Sequence, residues 1–227
     1  MRKSFKIILL IITLILISIY PQSMLIINAD ENVERITIVD KSIIYKDKYI
    51  DINVEIPQIL GMDDEKFQND INQRIVDFTN NWINEAKDAS KQLEPRLPYV
   101  LNSKFTSFVN EDYISFYIDY YQFSGGAHGI TMREAYNIRI KDSKEIKLKD
   151  LFEEGYDYKE HINKIIYKEI ENNPGMYFIG ELGFNGIDED QSFYLKEGYI
   201  VVFFQQYEIA PYAAGLPEFL IEMPKKK

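Results

Sequence analysis

Residues 113–123 read YISFYIDYYQF, and the alternation inside that stretch decides the class of fold. Ile114, Phe116, Ile118 and Tyr120 point one way, while Tyr113, Ser115, Tyr117, Asp119 and Tyr121 point the other. A period of two belongs to a β-strand, whose successive side chains leave opposite faces. One face is wholly apolar and the other half aromatic, so the second face is also covered or binds something. Working outward, neighbouring strands are expected over 99–109 and 130–140, with this one spanning 112–123. Upstream, 33–57 reads as strand material. In YIDINVEIP (49–57), Ile50, Ile52, Val54 and Ile56 alternate with Asp51, Asn53 and Glu55, and Pro57 and Gly61 are expected to end the strand.

Two helices accompany these strands. Asp63 or Asp64 opens the first as an N-cap, and Phe67, Ile71, Ile75, Phe78, Trp82, Ala86 and Ala89 recur at steps of three or four. Trp82, the only tryptophan, lies on that stripe and reads as core. The helix should stop before Pro95. The second is expected over 158–171, with Ile162, Ile165, Ile166 and Ile170 inward and ENNPG (171–175) breaking it. Two more strands, 192–195 and 199–207, are joined by the turn Lys196-Glu197-Gly198. The class is therefore α+β, a largely antiparallel sheet packed with two main helices.

The N-terminus sets the compartment. Arg2, Lys3 and Lys6 precede the uncharged run IILLIITLILISIY (7–20), and INAD (27–30) places the small residue Ala29 at a cleavage position. Residues 1–29 are expected to be a signal peptide or, uncleaved, an N-terminal membrane anchor, and membrane contact is expected through this segment alone. In either case 30–227 lies outside the cytoplasm, because the basic end stays inside. The absence of cysteine excludes thiol catalysis and cysteine-based metal sites, and suits a bacterial wall better than an oxidising secretory pathway. Loss of the three leader cations takes the net charge from −10 to −13. Such a surface repels nucleic acid and anionic lipid and attracts a basic partner.

The candidate chemistry centres on YQFSGGAHGI (121–130). A catalytic His128 would need an adjacent nucleophile and an orienting carboxylate. Ser124 lies four residues away in a glycine-rich turn, not on a strand-to-helix elbow. The glycines explain themselves as a turn in which His128 bonds neighbouring backbone. His128 and His161 show no metal-ligand spacing, and Asp188, Glu189 and Asp190 in GIDED (186–190) lack the spacing of a calcium loop. No motif selects a carboxylate pair for glycoside hydrolysis, and no phosphate- or dinucleotide-binding glycine loop occurs. No catalytic residue, metal or cofactor is therefore expected. Tyr117 and Tyr121 share a strand face with Tyr113, and Tyr207 and Tyr212 follow in YEIAPY (207–212). Such rings serve either packing or a ligand surface.

Three stretches in order, YYQFSGGAHG (120–129), KLKDLF (147–152) and FFQQYEIAPYAAGLPEFLIEMP (203–224), carry a family likeness. Together they make 33–224 resemble an extracytoplasmic module with an N-terminal half like that of the peptidoglycan deacetylase PdaC and a C-terminal half like that of the anti-sigma factor RsiV. The resemblance implies an α+β fold and divides the chain into 30–140 and 141–227. In the anti-sigma factor the module is the receptor for lysozyme, and in the deacetylase it accompanies a separate catalytic domain. With Met1–Lys6 before the apolar run and nothing after Lys227, the module is expected to stand without a sigma-binding or deacetylase domain. The expected function is an exported, non-enzymatic binding module of the cell envelope. Its expected partners are a basic lysozyme-type protein, met by an acidic loop such as GIDED, or peptidoglycan fragments. The alternative is a wall-glycan hydrolase or deacetylase-associated protein. The candidate ligand residues are Tyr117, Tyr121, His128, Asp188, Glu189, Asp190, Tyr207 and Tyr212.

Overall fold

The computed structural model describes residues 36–93 and 96–224. The expected signal segment lies outside the described residues. No described helix is long and apolar enough to cross a membrane. The chain opens with a hairpin of β1 (Thr37–Lys46) and β2 (Ile50–Leu60), whose turn is closed by the Asp47 carboxylate accepting from the Tyr49 and Ile50 amides. Helix α1 (Glu65–Leu93) follows, with Asp64 accepting from the Phe67 amide at 2.9 Å as its N-cap. After it, β3 (Tyr99–Val109) lies parallel to β2, and β4 (Tyr113–Phe123), β5 (Ile130–Arg139) and the short β6 (Lys144–Glu145) continue antiparallel. The six strands stand in sequence order. Helix α2 (Tyr158–Asn172), capped by Asp157, precedes an antiparallel three-stranded sheet of β7 (Phe193–Lys196), β8 (Tyr199–Phe203) and β9 (Glu218–Glu222). The class is α+β, as the alternation predicts.

Three expectations need correction. Pro57 does not end its strand: it lies inside β2 opposite Asp40. The β2–β3 ladder stops at Val54, so Pro57 sits where β2 is paired on one side only and its missing N–H costs nothing on the other. Strand β8 stops at Phe203 rather than at 207, because Gln205 and Gln206 leave their own sheet to bond the backbone of β5. The inward face of α1 is also less apolar than its stripe, since Asn72, Thr79 and Ser90 are buried. Asn72 donates to and accepts from the backbone of Ile59, pinning the helix to β2 by both of its amide groups.

Three apolar layers separate the elements. Below the large sheet, α1 packs on Ile52, Val54, Leu101, Ile114, Phe116 and Ile118. Tyr120 closes this layer with Trp82 edge-on at 5.1 Å and its hydroxyl 2.9 Å from that of Thr79. Burial pushes the Tyr120 hydroxyl up to about 12. Above the large sheet, Tyr194, Val201 and Phe203 of the small sheet meet Phe108, Tyr117 and Ala135. Beyond the small sheet, α2 brings Ile162 and Ile166 against Phe193, Leu195, Ile200, Val202 and Ile221. Trp82 is core, as its place on the stripe implies. The order is helix, sheet, sheet, helix.

The middle layer holds a buried cation among these packed rings. Arg133 of β5, only 7% exposed, donates through Nε and Nη2 to both oxygens of Asp119 on β4 at 2.6 and 2.8 Å, and through Nη1 to Glu218 on β9. Its guanidinium carbon lies 3.7 Å from the centre of the Tyr117 ring. Burial pulls its pKa down, but the hydrogen bonds and charges of Asp119 and Glu218 more than offset this and hold it above the ordinary value. Removing Arg133 leaves the Asp119 and Glu218 carboxylates, each about a third exposed, close together without their cation. Arg133→Met is expected to cost about 3–5 kcal/mol in urea unfolding, and Arg133→Lys recovers only part because a single ammonium cannot reproduce the fork.

Glu134, half-buried beside Tyr120 and Tyr136, has its carboxyl raised by desolvation. A raised carboxyl favours the fold below the ordinary carboxylate pKa and loses that contribution as pH rises through the folded value. Glu134→Gln should therefore raise Tm at pH 7, and the gain should vanish when the same melts are run near pH 3.5.

Candidate functional site

The β4–β5 turn and the segment after β8 meet at one edge of the large sheet. In the turn, Gly129 lies against Tyr121 so closely that a Cβ there would come within 2.4 Å of the phenol ring. From the other side, Gln205 donates to the Arg133 carbonyl at 2.8 Å and accepts from the Arg133 amide at 3.0 Å, while Gln206 accepts from the Thr131 amide at 2.7 Å. The two amide side chains do for β5 what a neighbouring strand would, since β6 pairs only with Ile138 and Arg139. They hold Tyr207, whose φ is +67°, and Tyr212 in place.

His128 lies in the space between. Its ring stacks on Tyr212 with centroids 3.9 Å apart and planes at 22°, and Nε2 is 3.3 Å from the Tyr207 hydroxyl. Nδ1 is 2.9 Å from the Gly129 carbonyl, which can only accept, so Nδ1 is the donor of that bond. The expected turn role of His128 is present, and a ring partnership is added to it. Both His128 and Tyr207 are exposed, so the patch is reachable from solvent.

Beside these rings, the uncovered face of the large sheet forms a groove of about 440 Å3 lined by Asn53, Asn102, Lys104, Asp119, Tyr121 and Thr131. Two amides, an ammonium, a carboxylate and a hydroxyl thus border a phenol ring. Such a lining offers donors and acceptors in several directions. Ser124 accepts from Gln122 Nε2, and the hydrogen bonds of His128 go to Gly129 and Tyr207. Among the described residues, no group of three or more histidines, aspartates or glutamates is placed to hold a metal ion.

The candidate residues therefore divide into three sets. His128, Tyr207 and Tyr212 come together, and Tyr121 lies against Gly129 next to His128. Tyr117 is drawn into the layer between the sheets, under Arg133 and 4.8 Å from Tyr194. Asp188, Glu189 and Asp190 form a separate exposed turn whose charge is met locally: Lys147 binds Asp190 at 2.6 Å, and Lys159 and Lys149 lie 3.2 and 3.5 Å from Glu189. These lysines hold the Glu189 and Asp190 carboxyls below the ordinary range. Sequence reasoning missed Asn53, Asn102, Lys104 and the two glutamines. Asn53 and Asn102 stand at polar positions of alternating strands, the one signal that marks them, while Gln205 and Gln206 carry no local signal. Gly129→Ala is expected to displace the Tyr121 ring and to broaden or shift the Tyr121, His128 and Tyr212 ring resonances in NMR spectra, leaving those of Trp82 unchanged.

Comparison with known proteins places this geometry. Residues 43–131 match the family described as deacetylase PdaC, and 149–223 match the protein family of unknown function DUF3298. The peptidoglycan-N-acetylmuramic acid deacetylase PdaC of Bacillus subtilis strain 168 is 29% identical over 94 residues, which is 40% of this chain and 20% of that protein. The chain thus spans about a fifth of the length of that relative. A crystal structure of a DUF3298 family member from Bacteroides fragilis NCTC 9343 superposes with a TM-score of 0.64 at 18% identity, covering 82% of this chain and 90% of that one. A DUF3298 family protein from Pseudomonas aeruginosa PAO1 gives 0.56 at 14% identity, covering 83% and 91%. At these identities the likeness is one of fold. A segment similar to the PdaC family is followed by one similar to the DUF3298 family, and the His128–Tyr212 ring pair takes one residue from each.

Proposed function

We propose that this protein is an exported, non-enzymatic binding module of the cell envelope and that its ligand is a peptidoglycan glycan strand. The observation that carries the proposal is the ring cluster of His128, Tyr207 and half-buried Tyr212, next to which Tyr121, packed on Gly129, borders the groove of Asn53, Asn102 and Lys104. A sugar has apolar C–H faces that lie on aromatic rings and a girdle of hydroxyl and amide groups that need donors and acceptors. Rings beside amides supply both. The name of the Bacillus relative supports a wall glycan as the class of ligand.

A second reading, a basic lysozyme-type protein as partner, has the net charge of −10 in its favour, since such charge speeds the approach of a basic protein. It also accords with the family likeness to the lysozyme-receptor anti-sigma factor. The acidic run at 188–190 lends it less, because lysines already face Glu189 and Asp190.

Calorimetry with soluble glycan fragments from peptidoglycan tests the proposal. Saturable binding is expected, weakened about tenfold or more, which is about 1.4 kcal/mol, by Tyr212→Ala and by His128→Ala. No reducing ends or acetate should appear on prolonged incubation with purified peptidoglycan, and their release would overturn the non-enzymatic reading. Heat with a basic lysozyme that falls steeply as salt rises, together with none from glycan, would favour the second reading instead.

A further inference from the structure

The groove beside Tyr121 owes its charge to the way the strands are paired. Asn53, Asn102, Tyr121 and Thr131 form one row across β2, β3, β4 and β5, each paired with the next. In the adjoining row on the same face, Lys104 is opposite Asp119 and Asp119 opposite Arg133. A lysine and an aspartate directly opposed on antiparallel strands are placed to form an ion pair. Here that pair does not form. Both Asp119 oxygens accept from the Arg133 guanidinium, at 2.6 and 2.8 Å, so the aspartate's charge is already met. Glu55, the next acid on β2, lies past Val54, where the β2–β3 pairing ends, and does not line the groove.

Lys104 is exposed and has no carboxylate partner among the described residues, whereas Lys46, Lys147, Lys149 and Lys159 each reach one. The side-chain amides of Asn53 and Asn102 are likewise unbonded within the described residues. The groove therefore presents an uncommitted ammonium and two uncommitted amides, while the carboxylate in its lining is neutralised from β5. Its geometry suits one sugar with a charged substituent. Asn102 lies directly opposite Tyr121, and Lys104 is the diagonal neighbour of that ring. Diagonal Cβ atoms on paired strands are about 7–8 Å apart, within reach of a long side chain. A sugar lying on Tyr121 thus has amides at one side and an ammonium at the other.

We propose that Lys104 makes this groove select glycan that carries a carboxylate. The ammonium takes the carboxylate, the sugar ring lies on Tyr121, and the Asn53 and Asn102 amides bond the acetamido and hydroxyl groups. This inference rests on the glycan reading above and narrows it. A peptidoglycan strand offers a carboxylate from two sources: the lactyl group of its acidic sugar where no peptide is attached, and the peptide where one is. A neutral glycan offers none. Because the ammonium is exposed, the selectivity it confers is modest and sensitive to salt.

The test is calorimetry on the whole protein at low salt with three tetrasaccharide strands from peptidoglycan. One is free of peptide with its lactyl carboxylates intact, one is the same strand with those carboxylates converted to amides, and one still bears its peptides. An acidic strand is expected to bind about fivefold tighter than the amidated one. A preference shown by the peptide-free strand assigns the carboxylate to the sugar, and one confined to the peptide-bearing strand assigns it to the peptide. The ratio of affinities should fall to about one in Lys104→Gln, persist in Lys104→Arg and shrink as salt rises. Equal binding of all three strands, or a preference that survives in Lys104→Gln of unchanged Tm, overturns the inference and leaves the glycan reading standing. No binding of any strand removes the glycan reading and this inference with it.

Discussion

Most of the molecule is organised around one guanidinium. Arg133 is placed where two sheets face each other, and a cation there is tolerable only if its charge is met by hydrogen-bonded carboxylates. Asp119 supplies two acceptors from β4, Glu218 a third from β9, and Tyr117 a ring face. The residue's own amide and carbonyl are taken by Gln205. Four parts of the chain must therefore arrive together for any one of them to be satisfied. Asp119 lies 14 residues from Arg133, Gln205 72 and Glu218 85, so the match ties early strands to late ones.

Apolar contact alone would leave the two sheets free to slide. Tyr194, Val201 and Phe203 bury well against Phe108, Tyr117 and Ala135, but dispersion between flat surfaces is weakly directional. Register comes from polar pins inside the same layer. Ser115 accepts from the Leu195 amide at 2.7 Å and donates to Asn137, whose amide donates to the Phe193 carbonyl. These bonds also cap the free edge of β7, which otherwise exposes unpaired backbone groups. Burial supplies the energy of the layer and the pins supply its geometry.

The same division explains what the sequence makes legible. Periodicity of two assigns Ile114, Phe116, Ile118 and Tyr120 to one face and Tyr117 and Asp119 to the other, and periodicity near 3.6 finds both helices, because these depend on neighbours within a few residues. Arg133 sits among Thr131, Met132, Glu134 and Ala135 with nothing local to set it apart, and its partners are fixed only by the fold. Gln205 and Gln206 likewise continue a strand pattern until their side chains find the backbone of β5. At the candidate site, His128, Tyr207 and Tyr212 stand out as residue types, but their meeting does not, since 79 residues separate His128 from Tyr207. Tyr117 and Tyr121 look alike in sequence, and only the small sheet's position separates a packed ring from one that borders a groove.

The consequence for function is that the ring patch is built on the rigid part of the molecule. Tyr207 and Tyr212 belong to a segment with no strand or α-helix, only the 3-10 turn Tyr212–Ala214, which by itself would have to be ordered when a ligand arrives, at about 1–2 kcal/mol for each residue fixed. Here that ordering is already done in the free protein. Gln205 and Gln206 attach the segment to β5 at the residues flanking and including Arg133, and the ion pair of Arg133 with Glu218 holds β9, where the segment ends. His128 is positioned from the opposite side by Gly129, whose lack of a side chain lets Tyr121 lie beneath the turn. A surface preset in this way loses little entropy on binding, so modest stacking and hydrogen bonding appear as net affinity. The buried charge network and the exposed rings are thus one construction: the first is what allows the second to hold its shape without a ligand.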